Sequence, residues 1–135
     1  SHPEILANGH WHAGQAAEAK KDFPLAERHY REGLALDPNH AELQASLGVL
    51  YLVQGRFADA LEPLESYHRL QPKNPQSCLF LGQIYAVTGR TKEARALLTE
   101  GVTLAEKAGN AETANNCREI LQGLQTLRDS PGQSN

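Results

Sequence analysis

The residues with chemistry to offer are six histidines, two cysteines and one tryptophan. His10 and His12 flank Trp11, an arrangement that invites a metal reading. Residues two apart point to different sides of a helix, and zinc wants three or four ligands at suitable spacing. His2, His29, His40 and His68 are dispersed along the chain. His29 and His68 are expected on solvated outer helices, and His40 in the turn after Asp37-Pro38-Asn39. No metal site is expected. No glycine-rich phosphate loop and no nucleophile motif is present, so neither catalysis nor a cofactor is expected. Cys78 and Cys117 are expected as reduced core residues rather than a bridge. That favours the cytoplasm without excluding a periplasmic domain.

Binding chemistry is more visible. In a helix expected over 40–54, Leu43, Leu47, Leu50 and Tyr51 form one apolar stripe. Ala45, Val49, Leu52 and Val53 form a second. A helix expected over 75–88 repeats the arrangement. Cys78, Leu81 and Tyr85 lie on one side, and Leu79, Ala86 and Val87 on the other, with Gln83 between. One stripe can bury itself against neighbouring helices, and a helix apolar nearly all round is covered on more than one side. The second stripe has no evident partner within the chain.

The elements that position these stripes follow a ruler. Gly14, Gly48 and Gly82 stand 34 residues apart, and so do Ala26, Ala60 and Ala94. A fixed period of this size signals repeat architecture. The copies are 7–40, 41–74 and 75–108. A glycine inside a helix costs roughly 1 kcal/mol against alanine, so three in register point to a packing return. Each glycine is expected at the crossing of two helices, with the alanine as its facing contact. Pro38 and Pro72 end the second helix of their pairs. Seven helices are expected, over 4–20, 24–36, 40–54, 57–70, 75–88, 91–107 and 111–128. No stretch alternates with period two, so no sheet is expected.

Leu47-Gly48, Tyr51, Ala60, Leu64 and Pro72 carry a small–large–small signature at the 34-residue period. In this the chain resembles the tetratricopeptide repeat (TPR) family over residues 7–108. The resemblance implies an all-α superhelix, or α-solenoid, of three helix-turn-helix pairs plus a capping helix. It implies one TPR domain over 1–128. Lys21 stands where Gly55 and Gly89 stand, so the first turn is expected to differ. Tyr67 stands where Gly33 and Gly101 stand, so packing there is expected to be looser or shifted.

In TPR proteins the first helix of each pair lines a concave face that binds peptides. The resemblance therefore implies a groove built from Trp11, Gln15, Glu42, Ala45, Val49, Leu52, Val53, Gln76, Leu79, Gln83, Ala86 and Val87. Asn8 and Glu18 join the polar rim. Trp11 is a natural anchor, since binding energy concentrates on buried aromatics with polar surrounds. The alternative is that these residues are extra core and that Trp11 covers the start of the stack. Some TPR proteins grip the acidic EEVD tail of heat-shock chaperones with lysine, asparagine and arginine. The corresponding positions are Trp11, Gln15, Ser46, Gln76 and Phe80. None is basic, so that role is not expected.

The implied function is a non-catalytic protein–protein interaction module that binds a partner peptide in an apolar groove. A self-assembling scaffold is the alternative, with Trp11 and Pro3–Leu6 inserting into a second copy's groove. The layout is also similar to small bacterial three-repeat TPR proteins, among them secretion chaperones that hold apolar segments. The net charge of −3 argues against nucleic acid, which needs a clustered basic face. Apolar stretches are too short to span a bilayer.

Ala114, Cys117, Ile120, Leu121, Leu124 and Leu127 make one stripe of a final helix expected to cap the stack. Residues 129–135 are rich in Ser, Pro, Gly and Gln and are expected to be a disordered tail. The chain has no methionine, and its first residues are read as an excision from a longer protein. Pro63 falls within an expected helix and is read as a tolerated first-turn proline.

Overall fold

A computed structural model describes residues 2–129, with side chains through Thr126. Among the described residues there are seven helices and no strand: α1 (Pro3–Ala19), α2 (Phe23–Leu36), α3 (Ala41–Val53), α4 (Phe57–Leu70), α5 (Pro75–Val87), α6 (Thr91–Lys107) and α7 (Ala111–Asp129). Each expected boundary is met to within one residue. Asp129 closes α7 rather than opening a tail, and the rest of the expected tail lies outside the described residues. The chain divides into two compact units, Ser1–Leu70 and Gln71–Asn135. In the first, α1 packs on α2, α2 on α3, and α3 on α4. In the second, α5 packs on α6, and α7 packs on both.

The helices start where polar side chains take up free backbone N–H groups. Asp22 accepts from Leu25 N at 3.2 Å, His40 from Leu43 N at 3.1 Å, Asn74 from Gln76 N at 3.0 Å and Asn110 from Thr113 N at 3.1 Å. Each such cap is worth about 1 kcal/mol. His40 is thus a buried N-cap, not a loose turn residue.

The first turn does not differ as expected. Lys21 takes φ 61°, beside Gly55 at 74° and Gly89 at 85°. In all three turns the next residue's N–H returns to a carbonyl five residues back: Asp22 to Ala17, Arg56 to Tyr51 and Arg90 to Tyr85. The hydrogen-bonded turn is kept, and Lys21 bears the strain that a glycine would not. Lys21→Gly is expected to raise stability by about 0.5–1 kcal/mol. Urea denaturation followed by circular dichroism measures this, and an unchanged or lowered midpoint would contradict it.

The glycine ladder marks close helix crossings, and the atoms nearest each glycine belong to large side chains. Of the alanines only Ala94, through its carbonyl 3.6 Å from a Cβ on Gly82, is among the facing contacts. A Cβ on Gly14 would meet the Tyr30 ring at 2.3 Å, one on Gly48 would meet Leu64 Cδ2 at 2.4 Å, and one on Gly82 would meet Leu98 Cδ2 at 2.8 Å. Tyr30, Leu64 and Leu98 are fully buried and themselves stand 34 apart. A large side chain reaches across each pair and rests on bare backbone. Ala26, Ala60 and Ala94 are also fully buried, one helical turn before those large residues.

Pro63 is not in a first turn. It is the seventh residue of α4, and it is buried. It has no N–H to return to the Asp59 carbonyl. Tyr67 is buried in the same helix. In α7, Thr113, Ala114, Cys117 and Leu124 are buried and Ile120 and Leu121 are half-buried, which is the expected stripe as far as side chains are described. Gly101 lets α7 in, since a Cβ there would lie 2.9 Å from Cys117 Sγ and 3.2 Å from Cys78 Cβ. Both thiols are free. Burial pushes the Cys78 thiol up to about 11, so it stays protonated and inert at neutral pH.

Candidate functional site

Within the first unit, Ala45, Val49, Leu52 and Val53 recur at helical spacing on α3 and share one face. Ala45, Val49 and Leu52 are half-buried, and Val53 is 68% exposed. Glu42 begins the same face and is exposed. From α1, Gln15 is exposed and Trp11 is half-buried. Trp11 Nε1 donates to Ser46 Oγ at 2.9 Å. Its ring lies 5.1 Å from His12 and 5.8 Å from His40, tilted against both. The polar end of Trp11 is therefore committed to tying α1 to α3, and only the rest of its ring is free to meet a ligand. His40 supports this corner. Its Nδ1 accepts from Leu43 N, so Nε2 carries the proton and donates to Asn8 Oδ1 at 2.6 Å. Asn8 is exposed and gives its carbonyl oxygen to that bond.

In the second unit, Gln76, Gln83, Ala86 and Val87 lie along one face of α5. Gln76 is exposed, Gln83 and Ala86 are half-buried, and Val87 is 51% exposed. Leu79 is the departure: it is 6% exposed, so it belongs to the core and has little surface to offer a ligand. Its position satisfies both stripes of a helix that is apolar nearly all round, and packing decided between them.

Two features escaped the sequence reading. A crevice of about 450 Å³ opens between α2, α3 and α4, lined by Arg31, Leu34, Leu47, Tyr51, Glu62 and Pro63 among others. None of the expected groove residues lines it. Beside it sits a polar knot. Glu27 accepts from Arg56 at 2.8 Å, Tyr51 at 2.9 Å and Arg31 at 3.0 Å. The Arg56 guanidinium lies 4.5 Å from the Tyr51 ring centre. Burial pushes the Glu27 carboxyl up, but the hydrogen bonds from Arg56, Tyr51 and Arg31 outweigh it and hold the group below its ordinary 4.5. Burial and the bond to Glu27 raise the Tyr51 hydroxyl.

Two family models, both described as tetratricopeptide repeat, match residues 13–77 and 54–114. The chain belongs to the tetratricopeptide repeat family. A human relative of this TPR chain, protein O-mannosyl-transferase TMTC1, is 31% identical over 106 residues, covering 78% of this chain and 11% of that protein. The chain thus spans about a tenth of that relative's length. Among solved structures, the TPR2B domain of yeast Sti1 in its pHsp70 complex superposes with a TM-score of 0.81. It is 15% identical, with 90% of this chain and 98% of that chain covered. The type III secretion translocator chaperone SycD of Yersinia enterocolitica superposes with a TM-score of 0.82 at 14% identity, covering 93% and 96%. These likenesses are of fold.

The TPR hairpin of α1 and α2 also holds a side-chain cluster that the sequence reading had dispersed. His29 is half-buried and faces α1 rather than solvent, with its Nδ1 3.2 Å from His10 Nδ1. Glu32 joins them, and the three donor atoms lie within 4.8 Å of one another.

Proposed function

We propose that this chain is a non-catalytic protein-interaction module that binds a partner peptide through apolar faces of its first-in-pair helices. The observation that carries the reading is the row Val49, Leu52 and Val53, apolar, at helical spacing, and open to solvent at Val53. Trp11 borders this corner with its polar end already bonded. Val87 with Ala86 and Gln83 offers a similar face in the second unit. The Sti1 domain in its pHsp70 complex, and a further solved TPR domain bound to an HSP90 peptide, support partner and peptide binding as uses of this fold. The SycD likeness adds a chaperone to the uses of this fold. Trp11, Gln15, Ser46, Gln76 and Phe80 supply no cation for an acidic tail, which speaks for an apolar ligand over an EEVD peptide. Two buried unbridged thiols suit a reducing compartment such as the cytoplasm.

The test is selection of peptides from a random displayed library on the wild-type chain. The selected peptides carry apolar anchors and lose about 30-fold in affinity on Leu52→Glu or Trp11→Ala, the scale of about 2 kcal/mol for an anchor. Glu62→Lys, in the crevice between α2 and α4, leaves binding intact. Equal binding by a folded Leu52→Glu Trp11→Ala double variant removes these faces as the site.

Self-assembly is a second reading, favoured by Ile5 and Leu6, which are 65% and 48% exposed at the start of α1. Sedimentation over a wide concentration range decides it, and a strict monomer at high concentration rules it out.

A further inference from the structure

We propose that His10, His29 and Glu32 form a binding site for one divalent transition-metal ion of the zinc type, which staples α1 to α2. His29 and Glu32 are three apart on α2, so they share a face. His10 comes from α1, which packs on it. The 3.2 Å between the two Nδ1 atoms is the decisive length. An ion bound tetrahedrally at about 2.0–2.1 Å holds neighbouring ligand atoms about 3.3 Å apart. Two imidazoles are already at that separation, and the Glu32 carboxylate is within 4.8 Å of both.

The donor set selects the ion. Two imidazoles and a carboxylate suit zinc and its first-row neighbours, with water in the fourth position. Calcium and magnesium want cages of oxygen. Without an ion, the short N···N contact is a hydrogen bond in which one ring nitrogen donates and the other accepts. On metal binding that hydrogen is lost to solvent from Nδ1 and the donor ring takes one up at Nε2, so both rings stay neutral and both Nδ1 lone pairs face the ion. Arg28 Nε lies 4.0 Å from one Glu32 oxygen, but both side chains are mostly exposed. Such a pair is a weak competitor.

Repeat packing does not require these residue types. The equivalent positions 34 and 68 residues on hold Gln44, Pro63 and Ser66, then Cys78, Leu97 and Glu100. Gly33 gives the first hairpin its geometry. A Cβ there would lie 3.2 Å from His10 Cβ, so bare backbone lets His10 settle close to α2. Both histidines are half-buried and Glu32 is exposed, which fixes two ligands and leaves a way in from solvent.

The experiment uses the full chain without a tag, washed with chelator, and titrated with zinc sulfate against a chromophoric competitor. One ion per chain binds with a dissociation constant on the order of micromolar or tighter. His10→Asn and His29→Asn each weaken it at least about tenfold, Glu32→Gln weakens it less, and His12→Asn leaves it unchanged. Zinc raises the thermal midpoint of the wild type but not of His29→Asn, whose fold is checked by circular dichroism. Cobalt substitution gives the visible absorption of a four-coordinate ion. Absence of saturable binding below about millimolar zinc overturns the proposal, as does equal affinity in all four variants.

Discussion

Gly48→Ala is expected to lower the stability of this chain by about 1–3 kcal/mol, against the usual rule that alanine strengthens a helix. The new methyl would stand 2.4 Å from Leu64 Cδ2 and 2.6 Å from Leu64 Cγ. Cγ is the branch point of that side chain, so it moves only if the whole rotamer or α4 moves. Leu64 is fully buried, so moving it disturbs the core around it. The gain in helix propensity, about 1 kcal/mol, offsets part of the clash. Leu64→Ala by itself is expected to remove about 2–5 kcal/mol, the transfer and cavity cost of a core leucine. The two changes are complementary in volume. The double variant is therefore expected to cost no more than Leu64→Ala alone, a coupling of at least about 1 kcal/mol. Urea denaturation of the four proteins closes the cycle. Additive losses would show that the methyl and the leucine do not compete for one space.

Glu27→Gln is expected to cost about 1.5–3 kcal/mol at neutral pH, because it takes the charge from a carboxylate that three donors share. Arg56 stands in the turn just ahead of α4, Tyr51 is on α3 and Arg31 is on α2, so the knot ties two helices and a turn. The sign of the pH effect follows from the direction of the shift. Folding lowers the Glu27 pKa below its ordinary 4.5. The folded state thus prefers the ionised form, and the stabilisation is complete above the unfolded value. It is lost as pH falls through 4.5 and then through the lower folded value. Wild type and Glu27→Gln are expected to differ most at pH 7 and to converge in acid, once the pH is below the lowered folded value. Denaturation at pH 7 and in acid measures this, and a gap that persists in acid would assign the loss to packing rather than charge.

The repeats were legible because they are written in types that have few other uses. Glycines inside helices and prolines at their ends fixed the period, the period fixed six helices, and the apolar stripe from Ala114 to Leu127 gave the seventh. The partner of each glycine was not legible. The alanine ladder and the ladder of Tyr30, Leu64 and Leu98 have the same period, one helical turn apart, and only packing shows which one fills the gap. Lys21 misled because a residue type was taken for a conformation, whereas the surrounding hydrogen bonds impose the same left-handed turn on it. Leu79 misled for a different reason. On a helix apolar almost all round, periodicity names the faces but not the one that meets solvent. His29 was assigned to the outside because its own helix looked polar there. Its neighbour on α1, nineteen residues earlier, is visible only once the hairpin is closed. The Glu27 knot was hidden likewise, since Arg56 lies in a turn and Glu27 two helices earlier.

The close approaches made by Gly14, Gly48 and Gly82 all join residues sixteen apart, each within one hairpin. Closing so short a segment asks little chain entropy, and contacts of such small sequence separation form fast. A nascent chain can bring the two helices of each hairpin together as soon as the second leaves the ribosome, while a single repeat still cannot bury its apolar face alone.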